Sequence, residues 1–192
     1  STDLTRTVIS HHQISKLDAT KVILNPGDGL LDALDAGLAH TSGTYITRMD
    51  GDDLMVPHRL AMMHQTLSGA KKNTIVCGQV TYFPREALSR GYQTYERWIN
   101  NVQEEQSHAK WMYRECVFAS PNWMMKTADL RSAGGFAGLP YPEDYALALR
   151  CYQSGFHFKG IAEVTLLWRH HKDRISLNHP GFQQKAFLDL KV

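Results

Sequence analysis

The chain has 192 residues, 43% of them hydrophobic and 21% charged, with a formal net charge of +2. That length supports one domain with a real core. The charge is too small to argue for a nucleic-acid partner, and no apolar run reaches the ~18 residues of a membrane span.

Residues 4–17 carry Leu4, Val8, Ile9 and Ile14 at helical spacing and read as an amphipathic helix. Residues 21–24 read as a short buried strand, followed by a turn at Asn25-Pro26-Gly27-Asp28-Gly29. Leu31, Leu34 and Leu38 share one face of a helix over 30–40, with Gly43 closing it. Residues 44–47 are β-prone and run into Asp50, Asp52 and Asp53. Pro57 suits the first turn of a helix through Leu60, Met63 and Leu67 to Gly69. Residues 74–83 form the strongest strand pattern, with Gly78 as a bulge. Residues 85–115 are polar and aromatic, with a helix over 94–110, and read as an insertion lying over the sheet. A strand over 117–125, a short helix over 127–133 and a helix over 143–154 follow. A last strand over 164–168, a polar loop over 170–179 and a terminal helix over 182–190 complete the chain. Helix alternating with strand predicts an α/β fold, a mostly parallel sheet flanked by helices. Cys77, Cys116 and Cys151 include no C-x-x-C pair, which favours a reduced compartment. No signal-peptide pattern opens the chain, so the expected location is cytoplasmic, with peripheral contact with a membrane as the alternative.

Three segments carry candidate chemistry. The first is the run of three acids within four residues after the 44–47 strand. Carboxylates at the carboxyl end of a strand lie where open α/β sheets bind ligands, and their oxygens suit Mg²⁺ or Mn²⁺. The competing reading is a solvated acidic turn before a helix. A calcium loop of the EF-hand type is excluded. Counting from Asp50, the sixth position is Met55 where Gly is needed, and the twelfth is Ala61 where Glu is needed. The second segment is Glu143-Asp144 at a helix start. It is either a pair of acids favoured by the helix dipole or a rigidly held general base. The third is Trp168-Arg169-His170-His171. There His171 is either a surface histidine or a third metal ligand, and Arg169 either touches phosphate or is solvated. Trp98, Trp111 and Trp123 are candidates for stacking on sugars, with core packing as the commoner fate.

In order and spacing, these segments resemble the inverting GT-A glycosyltransferases of family 2. Thr47-Arg48-Met49-Asp50-Gly51-Asp52-Asp53, with Pro57-His58-Arg59-Leu60, looks like that family's DxD segment and the helix after it. Gly29, Ala33-Leu34 and Gly37 match the helix before it. Glu143-Asp144, preceded by Gly134-Gly135-Phe136 and Tyr141-Pro142, looks like the acidic pair that carries the base. Trp168-Arg169-His170-His171 resembles the C-terminal aromatic-Arg-x-His motif. The resemblance covers roughly residues 1–178. Within it, Tyr95-Glu96-Arg97-Trp98-Ile99-Asn100 with the paired histidines is similar to the β-1,3-N-acetylglucosaminyltransferase-like subgroup.

The resemblance implies a single GT-A, Rossmann-like domain over 1–192, with the 85–115 insertion on the acceptor side. It implies a metal-dependent inverting hexosyl- or N-acetylhexosaminyl-transferase acting in glycan or polysaccharide synthesis. The sugar would pass from a nucleotide-diphosphate donor, expected to be a UDP-sugar, to an acceptor hydroxyl. Mn²⁺ or Mg²⁺ would be held by Asp52 with Asp50 and His171. Asp50, Asp52 and Arg169 would face the donor, and Asp144 would be the base with Glu143 as its neighbour. One departure stands out: Ser1-Thr2-Asp3 looks like the tail of the family's first acidic turn. The leading strands, and the acid that meets uracil or ribose, are therefore expected on about 40 further residues upstream, the length of a βαβ start. Two other readings compete. A sugar nucleotidyltransferase would need a Gly-rich, Lys/Arg-bearing phosphate loop, and none is visible. A non-catalytic nucleotide-sugar-binding module of the same fold is opposed by the presence of Asp50, Asp52 and Asp144.

Overall fold

The computed structural model describes residues 7, 20–84 and 88–191. The helix expected over 4–17 lies, apart from Thr7, outside the described residues. The chain divides into two compact units, 1–40 and 41–192. In the first, helix α1 spans Leu30–Ala39. Its start is fixed locally: the Gly29 N–H donates to Asp32 Oδ2 at 3.1 Å, and Asn25 Nδ2 donates to the Gly29 carbonyl at 3.0 Å. The strand expected over 21–24 does not form; Val22 and Leu24 are exposed coil. Among the described residues no strand pairs with this segment, and an unpaired strand is not stable alone.

The second unit carries a five-stranded sheet. Its elements, in order, are β1 (Tyr45–Thr47), β2 (Leu54–Met55), α2 (Arg59–Ser68), β3 (Thr74–Phe83), α3 (Arg90–Glu104), α4 (His108–Trp111), β4 (Trp123–Lys126), α5 (Thr127–Ser132), α6 (Glu143–Gln153) and β5 (His157–Arg169). Then come α7 (Ile175–Asn178), a 3₁₀ turn (Pro180–Phe182) and α8 (Gln184–Asp189). The strand order is β1-β4-β3-β5-β2. The α/β class is as expected, but the sheet is mixed rather than mostly parallel. Among the described residues only β3 and β5 run parallel; the other three pairings are antiparallel. Helix–strand alternation reveals which segments are strands, not which way short return strands run. β1 and β2 occupy opposite edges, so residues 48–53, with the acids, pass from one edge of the sheet to the other.

β3 begins and ends where its pattern predicts, and its register against β5 shifts on both sides of Gln79, next to Gly78. The carbonyls there are satisfied by Asn122 Nδ2, which donates to Gly78 at 2.8 Å and Gln79 at 3.1 Å. A Cβ on Gly78 would lie 2.0 Å from Thr165 Oγ1, so glycine is required. Beyond Cys77, β3 has no β4 neighbour, and α3 takes over that edge. Asn100 accepts the Val80 N–H at 2.8 Å and donates to its carbonyl at 2.9 Å, and Glu96 accepts the Tyr82 N–H at 2.6 Å. A sheet edge buried without such partners would be costly. Ile99, between those two side chains, packs on Val80 and Leu166. On a second cluster, Met63 and Leu67 of α2 meet Val76, Met124 and Ile161.

The helix expected over 94–110 is two helices. Gln106, between them, has φ of 53° and uses its amide to bond both backbone groups of Gly160, at 2.8 and 3.0 Å. All three cysteines are free and buried. Among the described residues no helix is long and apolar enough to cross a membrane.

Candidate functional site

The acid-bearing segment is held from below by Arg59 of α2, whose side chain is fully buried. Arg59 Nη2 donates to Thr47 Oγ1 at 2.8 Å, to the Arg48 carbonyl at 2.9 Å and to the Pro121 carbonyl at 2.5 Å. This one guanidinium therefore joins the end of β1 to the loop before β4. Burial lowers its pKa to about 10.

Each acid of the cluster has a different partner. Both oxygens of Asp50 accept from Arg48, Oδ1 from Nε at 2.6 Å and Oδ2 from Nη2 at 3.1 Å. Asp52 Oδ2 lies 2.8 Å from His171 Nε2, and its side chain is half exposed. Burial would raise the Asp52 pKa, but the hydrogen bond and charge of His171 hold it below the ordinary carboxylate value. Asp53 is buried and accepts the Arg169 N–H at 2.7 Å. Loss of solvent pushes it up to about 6. Arg169 turns its Nε to the Asp52 carbonyl at 2.5 Å and stacks its guanidinium over Phe83. It thus anchors the acid-bearing turn through backbone and side chain together.

Helix α6 brings the second pair of acids. Its first residue, Glu143, is 2% exposed and accepts from Arg48 Nη1 at 2.8 Å. Burial and the neighbouring Asp144 raise its pKa, with Arg48 pulling the other way. Asp144 accepts the Ser120 hydroxyl at 2.5 Å on Oδ2 and the Tyr145 N–H at 2.8 Å on Oδ1. It faces a cavity of about 370 Å³, lined also by Tyr92, Tyr95, Glu115, Trp168 and Arg174. Trp168 stacks flat on Tyr82, centroids 4.9 Å apart at 10°. Arg174 lies over the Trp168 ring at 4.7 Å. His170 is turned the other way: its N–H bonds the Phe83 carbonyl, and its ring meets Tyr92.

The structure therefore brings Asp52 to His171, and Asp50 to Glu143 through Arg48. Among the described residues no three of His, Cys, Asp and Glu are grouped to hold a metal ion. Asp52 and His171 do fit two adjacent positions of one. Their 2.8 Å separation is close to the roughly 3 Å between neighbouring ligands at ~2.1 Å bonds, and carboxylate with imidazole suits Mn²⁺. Asp50 turns both of its oxygens to Arg48, which stands between it and Glu143. Of the three tryptophans considered for stacking, Trp123 is core. Trp98 and Trp111 pack edge to face on each other. The ring in the cavity is Trp168. Ser120, Arg48, Glu115 and Arg174 carried no readable signal beyond their residue types, because each acquires its partner through the fold.

The architecture matches that of S. aureus TarS 1–349 with a TM-score of 0.61 at 15% identity, over 88% of this chain and 48% of that one. A protein of Haemophilus influenzae, named as a glycosyltransferase of uncharacterised activity, is 24% identical over 90% of this chain and 62% of its own length. A Bacillus subtilis protein carrying the glycosyltransferase name EpsE is 28% identical over 97% and 63% respectively. The chain thus spans a little under two thirds of the length of these two relatives. The model of glycosyl transferase family 2 matches residues 1–133, taking in the acid-bearing turn, Arg59 and Ser120. With more than half of its length matched and a GT-A sheet beneath the acids, the chain belongs to glycosyl transferase family 2.

Proposed function

We propose that this chain transfers a sugar, with inversion and with a divalent ion, from a nucleotide-diphosphate donor to an acceptor hydroxyl, with Asp144 as the general base. One observation carries the reading. Asp144 shares the cavity wall with Glu115 and is held there by one bond from Ser120 and one from its own helix start. A carboxylate oxygen has two lone pairs, so each oxygen keeps one with which to take a proton. As the acceptor oxygen attacks the anomeric carbon, its proton passes to Asp144. No second carboxylate nucleophile is required for inversion. Tyr92, Tyr95 and Trp168 line the same cavity; their faces suit a pyranose ring and keep water from competing.

The donor side is the half-exposed rim, where Asp52 and His171 meet. An ion bound there would supply Lewis-acid neutralisation of the leaving diphosphate. Arg169 keeps the turn that carries Asp52 in place, and Arg174 adds a cation beside the aromatic wall.

UDP is the nucleotide we favour, and glycan or polysaccharide synthesis the setting. An N-acetylglucosamine donor rests on the similarity of residues 95–100 to one subgroup. Within that segment Glu96, Ile99 and Asn100 hold α3 on β3, and only Tyr95 lines the cavity. The segment thus speaks more for a shared scaffold than for a shared sugar.

The test is Asp144→Asn in the full-length protein, with UDP-N-acetylglucosamine and UDP-glucose as donors and Mn²⁺ present. We expect kcat to fall on the order of 10²–10⁴-fold. UDP affinity by calorimetry should stay within about twofold, the mark of an interaction made mainly in the transition state. Wild-type turnover in Asp144→Asn would overturn the assignment. If Glu143→Gln were inactive in that case, the base would be Glu143.

A further inference from the structure

We infer that Arg48 is a positioning residue that ties the donor-side acid turn to the base-bearing helix through a single guanidinium. The inference rests on the reading of Asp144 as the base. Arg48 leaves β1 and is almost wholly buried, its side chain 8% exposed. Its Nε and Nη2 grip both oxygens of Asp50, and its Nη1 reaches Glu143, 95 residues away in sequence. Arginine suits this task because its planar fork presents donors in fixed directions to two carboxylates at once; an ammonium is a point charge without that geometry.

A second observation shows why α6 needs such a tie. Its N-cap is Pro142, whose side chain can accept no hydrogen bond from the helix start. Glu143, the first helical residue, is held by Arg48 on one oxygen, while its other oxygen is buried without a hydrogen-bond partner. Asp144 follows immediately, so any shift of Glu143 is passed through the backbone to the base. Ser120 constrains Asp144 from the cavity side. Arg48 therefore fixes the helix start against the turn that carries Asp50 and Asp52, and with it the distance between the donor side and the base.

The experiment separates the two arms. Arg48→Gln should lower kcat by roughly 10²-fold, the scale of a small misplacement of a reacting group, and should also weaken UDP binding measured calorimetrically with Mn²⁺. In a Glu143→Ala background, which removes the acceptor that Arg48 Nη1 reaches, the tie to α6 is already cut. There Arg48→Gln should cost much less in kcat, while its effect on UDP affinity, which runs through Asp50, should persist. Arg48→Lys keeps the charge but loses the fork, and should recover only part of either loss. It also carries the test if Arg48→Gln fails to fold. Turnover and UDP affinity within about twofold of wild type in Arg48→Gln or Arg48→Lys would overturn the inference. So would kcat losses that simply add in the double variant. An inactive Asp144→Asn beside a fully active Arg48→Gln removes only the role of Arg48; an active Asp144→Asn removes the base assignment beneath it.

Discussion

Arg59→Met is the sharpest test of how the site is held. The substitution keeps a long apolar stem in the core and deletes the guanidinium. Three oxygens lose a charged donor: Thr47 Oγ1 and the carbonyls of Arg48 and Pro121. Hydrogen bonds to a charged group are worth about 1.5–3 kcal/mol each, so the gross loss is about 5–9 kcal/mol. The buried charge itself is costly: the fall of its pKa to about 10 corresponds to about 3 kcal/mol, which the variant regains. The net expectation is a destabilisation of about 2–6 kcal/mol, or roughly 5–20 °C in Tm for a chain of this size. The two carbonyls cannot be replaced along with the arginine, so the usual rescue of a buried ion by an apolar side chain does not apply. Thermal unfolding followed by circular dichroism measures it. A Tm within about 2 °C of wild type would mean that the oxygens find other partners, and that Arg59 does not clamp the acid turn.

Two further outcomes follow from the electrostatics. Asp52→Asn should weaken UDP binding in the presence of Mn²⁺ by roughly tenfold or more, with a smaller loss for His171→Ala; unchanged affinity in both by calorimetry would remove this pair as a metal site. Burial holds His108 down, from 6.5 to about 4, so the unfolded chain takes up a proton below pH 6.5 that the folded protein refuses. Its contribution to stability is complete above pH 6.5 and is lost as pH falls through 4, to a total of about 3 kcal/mol. His108→Gln should therefore lose less stability than wild type between pH 7 and pH 4.5; equal losses in urea titrations would refute the assignment.

Features set by neighbours in sequence were legible, and those set by distant partners were not. β3 is rich in β-branched and aromatic residues and alternates in burial over its second half, and its ends and its bulge at Gly78 follow from that local pattern. The same holds for α1 and for the start of α6 at Glu143. β5 is more than twice as long as the 164–168 expected, because its first half carries His157, Lys159, Gly160 and Glu163. Those residues are strand only because β3 lies alongside. The segment 117–122 fails as a strand for the opposite reason: it is apolar and buried, but turns, with the Asn122 N–H on the Ala119 carbonyl. In the candidate site, the acids could be found from their clustering. Two of their pairings could not, since Arg48–Glu143 and Ser120–Asp144 are 95 and 24 residues apart; Asp52 with His171, 119 apart, was expected only from the family resemblance.

Those partners sort the acids by what they are able to do. Asp50 and Glu143 share one guanidinium, whose permanent charge offsets one of their two charges and holds both carboxylates in fixed positions. Asp53 is buried, with one oxygen on a backbone N–H and the other without a partner; its pKa of about 6 marks it as the acid least able to carry charge at the turn. Asp52 and Asp144 are different. Asp52 meets an imidazole, which becomes a ligand rather than a counter-ion once it is neutral, and stands half exposed at the rim. Asp144 meets only a hydroxyl and a backbone N–H, neither of which can cancel its charge. A transfer site needs one carboxylate for a cation and one for a proton, held apart so that neither neutralises the other. The arginine between Asp50 and Glu143 performs that separation. In the proposed mechanism it engages Asp50 and Glu143, and would leave Asp52 for the donor side and Asp144, at the cavity wall, for the acceptor proton.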